Sequence, residues 1–200
     1  MMARFVIVVD TQRDFMAADG ALSVPGADAL VEPMRAWLAT LDPADTTGVL
    51  FTFDTHLPEV YARSAEAEAF PLHCVRGSVG WANMLDAALV DPAIPAYRIE
   101  KGVFDMWAEP DLVVEDARDA AAPATSRDAF FADLRAHGIG AVTVIGVAAD
   151  YCVRWAIDGL VRRGFAVRVP ASLTRGIQRE IEAVAADDFA GAALEVEPAR

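Results

Sequence analysis

The sequence predicts an α/β fold, a three-layer sandwich with a central, mostly parallel sheet flanked by helices, and three observations predict it. Short β-branched apolar runs alternate with longer amphipathic stretches along the chain. That alternation builds parallel sheets covered on both faces. The first run, Phe5-Val6-Ile7-Val8-Val9, offers no polar residue to either side of a strand, which fits a strand buried on both faces. Finally, Asp10, Lys101 and Cys152 all stand where such a run ends. An open parallel sheet binds its ligands beyond the carboxyl ends of its strands.

Each element follows from the pattern in order. After the first strand a loop runs to Pro25, and residues 27–40 read as a helix because Leu30, Met34, Trp37 and Leu38 recur at helical spacing. Residues 48–53 are the second strand. A long loop over 54–80 follows, then a short helix near 81–89 and a third strand near 97–100. Residues 127–137 are helical, with Thr125 or Ser126 as N-cap and Gly138 closing the end. Residues 141–147 form the fourth strand, 151–163 the helix behind it, and 165–169 the fifth strand. A last long helix is expected over 177–189, with 193–196 as an edge strand. The segment 109–125, acidic and then Ala-rich, reads as an exposed excursion.

Composition bounds the function. Two hundred residues with 54% hydrophobic content can bury one substantial core, so a single domain over 1–200 is expected. The net charge is −13, from 17 basic and 30 acidic residues. Nucleic acid is therefore not an expected partner, because neutralising phosphates needs clustered Lys and Arg. Nor is a membrane, since no long uncharged apolar run is present. Two cysteines, Cys74 and Cys152, make no disulfide scaffold, and no signal peptide is recognised, so a reduced, cytoplasmic protein is expected.

The chemistry concentrates on two groups of residues. Cys152 lies where an apolar strand gives way to a helix, and a thiol at a helix N-terminus has its thiolate stabilised by the dipole and free N–H groups. A buried structural cysteine is the alternative. Asp10 is a candidate general base for that thiol, or else a loop carboxylate or N-cap. His137 ends a helix, and His56 and His73 are committed elsewhere, which leaves no histidine for a Cys-His dyad. Lys101, the sole lysine, would hold positive charge beside both, unless it is a solvated surface residue. In the second group, Asp54-Thr55-His56 places a carboxylate and an imidazole on the same side of an extended segment. With Glu66 and His73 in the following loop, this is a donor set for Zn²⁺, Fe²⁺ or Mn²⁺. Glu68 competes with Glu66.

These residues fall into motifs that resemble the isochorismatase-like cysteine hydrolases, and most closely their nicotinamidase branch. The motifs are Val9-Asp10-Thr11-Gln12-Arg13-Asp14-Phe15, Asp54-Thr55-His56, Phe70 through Gly80, Lys101-Gly102 and Gly146 through Val153, in the family's order. The His73 segment is what favours the nicotinamidase branch. The resemblance implies a catalytic triad of Asp10, Lys101 and Cys152. It implies metal ligands Asp54, His56 and His73, with Glu66 matching a fourth ligand of some members. It also implies a cis peptide at Val147-Ala148 and an oxyanion hole made by the Ala148 and Cys152 N–H groups. Phe15 matches an aromatic residue that packs against the substrate ring. The segment after the lysine shapes the family's pocket, and here it reads Val103-Phe104-Asp105-Met106-Trp107, so Trp107 joins Phe15 as an expected substrate contact.

The implied activity is metal-dependent hydrolysis of nicotinamide to nicotinate and ammonia through a cysteine thioester. It would use one divalent transition metal ion, no organic cofactor and a small-molecule amide, in a homo-oligomer. Another small amide, isochorismate, or a catalytically silent binding role are the alternatives.

Overall fold

The computed structural model describes residues 4–199. Strand β1 (Arg4–Val9) lies at the centre of the sheet because its side chains are buried in alternation on both faces. Phe5, Ile7 and Val9 point into one apolar cluster and Val6 and Val8 into the other. Its parallel neighbours are β2 (Thr46–Asp54) and, on the other side, β6 (Ala141–Val147). β3 (Ala96–Lys101) pairs parallel with β2, and β7 (Ala166–Pro170) with β6. The first cluster is closed by α4 (Arg127–Ala136), α5 (Cys152–Arg162) and α6 (Ile181–Asp188). The second is closed by α1 (Arg13–Met16) and α2 (Val31–Leu38). These are the expected three layers. No helix among the described residues is long and apolar enough to cross a membrane.

The segment expected to be an exposed excursion instead extends the sheet, which makes it mixed. β4 (Val113–Asp116) pairs antiparallel with β3, and β5 (Thr125–Ser126) antiparallel with β4. Val114 is what holds the extension, since it is buried opposite Ile99 while Val113 and Glu115 on either side face out. On the far side β9 (Leu194–Glu197) pairs parallel with β7, and β8 (Thr174–Arg175) with the end of β6.

Two expected helices are shorter than the pattern suggests. Over 81–89 only Ala87–Leu89 forms a single 3-10 turn, capped by Asp86. The backbone upstream is spent elsewhere, with Arg13 N–H donating to Ala82 O and Met84 N–H to Thr11 O, which ties this loop to the end of β1. The last helix begins at Ile181, not at residue 177. The N–H groups of Ile177, Gln178 and Arg179 all donate to the Asp150 carboxylate, so that segment is a loop strapped beside β6.

Candidate active site

The carboxyl ends of β1, β2, β3 and β6 meet at one rim. Asp10, Asp54, Lys101 and the start of α5 stand there side by side, because parallel register sets Asp54 beside Lys101 and Val9 beside Gly146. Gly146 is required at this crossing, since a side chain there would meet Val9 O at 2.1 Å. Asp10 takes a left-handed backbone conformation, φ 47°, uncommon for a residue with a side chain. Thr52 holds it there, accepting from Asp10 N–H at 3.1 Å and donating to Asp10 Oδ1 at 2.5 Å.

Lys101 Nζ lies 2.7 Å from Asp10 Oδ2, 3.6 Å from Asp54 Oδ1 and 3.5 Å from Cys152 Sγ. All four side chains are buried. Burial opposes the charge on Lys101, but Asp10, Asp54 and Cys152 outweigh it and hold the ammonium well above the usual lysine range. Burial pushes the Cys152 thiol well up; Lys101 opposes this, while Asp10 and Asp54 add to the rise. Cys152 is the first residue of α5, where burial favours the protonated thiol. Lys101 links the thiol to Asp10, lying 3.5 Å from Cys152 Sγ and 2.7 Å from Asp10 Oδ2.

The turn into α5 presents two free donors. The Val147-Ala148 peptide is cis. Around it, Ala149 N–H donates to Arg175 O, and Tyr151 and Val153 N–H both donate to Ala148 O. Among the described residues the N–H groups of Ala148 and Cys152 have no protein acceptor.

Above Cys152 lies a small apolar cavity lined by Phe15, Leu22, Val24, Phe70, Phe104, Ala148, Tyr151 and Ile177. It holds about 10 Å³ of free space, on the order of one water molecule. Three rings close it: Phe104 stands edge-to-face with Phe70 at 5.6 Å and Tyr151 at 5.3 Å, and Phe70 with Tyr151 at 5.5 Å. Phe15 is in the wall as expected, also packed on His73 at 5.2 Å. Trp107 is not among the lining residues. Its indole packs instead on α4 and α5, with Nε1–H donating to Trp155 O at 3.1 Å. Phe104 belongs to the segment expected to shape the pocket, whereas Phe70, Tyr151 and Ile177 carry no such signal in the sequence.

Next to this cavity, Asp54, His56, Glu66 and His73 bring one donor atom each within 4.8 Å of one another. Asp54 Oδ2 lies 3.1 Å from both His56 Nε2 and His73 Nε2, and Glu66 Oε1 3.3 Å from His73 Nε2. His73 Nδ1 pairs with Pro71 O at 2.8 Å, which aims Nε2 into the cluster. Tyr61, at the end of the single-turn helix α3 (Pro58–Tyr61), packs edge-on against both imidazoles and donates its hydroxyl to Phe70 O and Pro71 O. Glu66 turns inward from a 3-10 turn while Glu68 is exposed, which separates the two candidates. Burial works against charge on His73, but Asp54 and Glu66 outweigh it and push the imidazolium up to about 10. Burial would likewise raise the Asp54 carboxyl, yet Lys101, His56 and His73 hold it well below the usual range. Buried Asp54 Oδ1 and Glu66 Oε1 make no hydrogen bond. Two carboxylates and two imidazoles that bring Asp54 Oδ2, the orphaned Glu66 Oε1 and both Nε2 atoms together fit a divalent metal ion, while Asp54 Oδ1 is turned toward Lys101.

Comparison with known proteins agrees with this geometry. The chain is 30% identical over 198 residues to the nicotinamidase/pyrazinamidase of Mycobacterium tuberculosis, covering 96% of this chain and 97% of that one. The structure of pyrazinamidase of Pyrococcus horikoshii in complex with zinc superposes with a TM-score of 0.68 at 28% identity, over 98% of this chain and 99% of that one. N-carbamoylsarcosine amidase of Thermoplasma acidophilum shares the fold, with a TM-score of 0.70 at 22% identity over 98% and 96% of the two chains. The isochorismatase domain model matches residues 4–197, and the chain belongs to the isochorismatase domain family.

Proposed function

We propose that this protein is a metal-dependent amidohydrolase that converts nicotinamide to nicotinate and ammonia through a thioester on Cys152. The observation that carries the reading is the convergence of Asp10, Lys101 and Cys152 within 3.5 Å contacts beside a four-donor cluster that shares Asp54 with Lys101. Similarity to the nicotinamidase/pyrazinamidase of Mycobacterium tuberculosis supports the substrate.

In this reading Asp10 takes the thiol proton, and Cys152 Sγ attacks the carboxamide carbon. The carbonyl oxygen gains the negative charge and receives the Ala148 and Cys152 N–H groups, which are fixed in place before the reaction. Asp10 then passes its proton to the amide nitrogen, the C–N bond breaks and ammonia leaves. Water attacks the thioester as Asp10 accepts one of its protons; the C–S bond breaks, the sulfur recovers that proton, and the carboxylic acid formed gives its remaining proton to ammonia or solvent and leaves as nicotinate. Lys101 stays charged throughout and offsets the negative charge that moves among Asp10, Cys152 and the oxyanion. Asp54, His56, Glu66 and His73 would hold the metal ion. When bound, such an ion supplies a coordination position for the ring nitrogen. Phe15, Phe104 and Tyr151 supply flat apolar surface for the ring.

Ammonia release from nicotinamide, pyrazinamide, benzamide and an aliphatic amide tests the proposal. The first two should exceed benzamide in kcat/KM by about a hundredfold, because benzamide keeps the ring shape but lacks the nitrogen. Hydrolysis of benzamide as fast as nicotinamide, or preference for the aliphatic amide, would assign the site to another substrate.

A further inference from the structure

Trp107 lies outside the cavity, but it is held by more contacts than an incidental core residue needs. Its indole lies against the backbone of α5 at Gly159, where a Cβ would come within 2.1–2.3 Å of the ring. Gly159 therefore makes a slot for it. The indole N–H donates to Trp155 O at 3.1 Å, one turn from Cys152. Arg163 stacks over the ring at 3.9 Å and Arg127 approaches at 5.7 Å, while Phe131 meets it edge-on at 4.7 Å. Arg127 is itself buried, and its guanidinium donates to Met106 O and to Glu109 O. The carbonyls on both sides of Trp107 are thus pinned to α4 while the ring is pinned to α5. At the start of the same segment, Gly102 N–H donates to Glu109 Oε2 at 2.7 Å.

We propose that Trp107 is a positioning residue that fixes the distance between the Phe104 ring and Cys152, and so sets which acyl groups reach the thiol. Phe104 is three residues upstream, a tether of at most about 10 Å, and it closes the cavity against Phe70 and Tyr151. Trp107 anchors that wall to the helix that begins with the nucleophile, so the two move as one body. A flat ring must part Phe104 from its partners by a fixed amount to enter, whereas a loosened wall would admit bulkier groups and hold a flat one poorly. The inference deepens the proposed amide hydrolysis and rests on Cys152 being its nucleophile.

The test compares Trp107→Ala, Trp107→Phe and Gly159→Ala with the wild type in two ways. Steady-state kinetics with nicotinamide should show KM rising about tenfold in Trp107→Ala with kcat changed far less, since the wall, not the reacting groups, is displaced. Gly159→Ala should behave alike, because it evicts the same ring from its slot. Trp107→Phe, which keeps ring packing, should recover most of the loss. Independently of any substrate, Cys152 is alkylated with iodoacetamide and with N-benzyl iodoacetamide and quantified by peptide mass analysis. The benzyl-to-plain rate ratio should rise several-fold in Trp107→Ala and not in Trp107→Phe. An unchanged ratio and KM in a folded Trp107→Ala protein would overturn the inference, as would a fall in melting temperature with equal losses for both reagents. If wild type leaves nicotinamide untouched while the alkylation ratio still responds, the substrate assignment fails and the positioning role stands.

Discussion

Lys101 Nζ and Asp10 Oδ2 are 2.7 Å apart, and neither side chain is more than 2% exposed. The pair is not isolated, because Asp54 reaches the same ammonium at 3.6 Å from the metal-ligand side. One cation therefore answers two carboxylates, and the candidate catalytic and metal groups are a single electrostatic unit. Removing the cation is a different perturbation from removing either acid.

Lys101→Met should make that asymmetry visible. It keeps the aliphatic stem but leaves Asp10 and Asp54 buried and facing each other. Removing one partner of a buried pair costs about 3–5 kcal/mol, which for a chain of this size lowers the melting temperature by roughly 10 °C. Ammonia release should fall by at least about a hundredfold. The double variant Lys101→Met/Asp10→Asn should regain part of the stability and none of the activity. Thermal unfolding of the two variants side by side decides it, and a Lys101→Met protein as stable as wild type contradicts the electrostatic unit.

The two cysteines should separate cleanly. Cys152→Ala is expected to abolish turnover while leaving the fold intact. Cys74 is fully buried, and its thiol is pushed up mainly by burial, with Asp54, Asp10 and Asp14 adding to it. It fills space between the proposed ligand His73 and the Asp14 carboxylate, which accepts its N–H at 2.8 Å. Cys74→Ala should cost about 1 kcal/mol of stability and leave most of the activity. Peptide mapping of an acyl or alkyl adduct on Cys74 would reverse the assignment.

How much of this was legible in the sequence depended on whether a residue's place is fixed by its strand or by distant contacts. Val9-Asp10 and Asp54-Thr55-His56 were readable because an apolar run buried on both faces ends in one place, and whatever follows must emerge at the rim. Trp107 was not readable, because Gly159, Arg127 and Arg163 decide where its loop turns, and they are 20 to 56 positions away. β4 was hidden for a similar reason, with Val114 buried on Ile99 inside an otherwise acidic stretch. The late start of α6 follows from Asp150, whose capture of three N–H groups leaves no local pattern in 177–180.

The metal cluster predicts a graded response. Protein prepared with excess divalent metal should carry close to one equivalent by elemental analysis, and His73→Ala should lose it while remaining folded. Glu66→Gln should weaken retention against a chelator by about tenfold or more, since Glu66 Oε1 is buried without a hydrogen-bond partner. Glu68→Gln should change nothing, as its side chain faces solvent. Equal retention in the Glu66 and Glu68 variants would remove Glu66 from the ligand set.

Asp150 offers the sharpest test of how the cavity is held together. Its carboxylate accepts from Ile177 N–H at 2.9 Å, Gln178 N–H at 2.8 Å and Arg179 N–H at 3.0 Å, two residues before Cys152. Ile177 lines the cavity, so the strap that Asp150 gathers is one of its walls. Hydrogen bonds to a charged acceptor contribute more than neutral ones, yet this strap is partly in water, so Asp150→Ala should cost about 2 kcal/mol in total. Asp150→Asn keeps one acceptor oxygen and should lie between the two. Local opening is the expected mode of failure, with the amides of residues 177–179 exchanging with solvent at least about tenfold faster in Asp150→Ala while the β1 and β6 amides stay protected. KM for nicotinamide should rise along the same series. If exchange in this strap is unchanged while turnover collapses, Asp150 acts on the reacting groups themselves and not through the wall it holds.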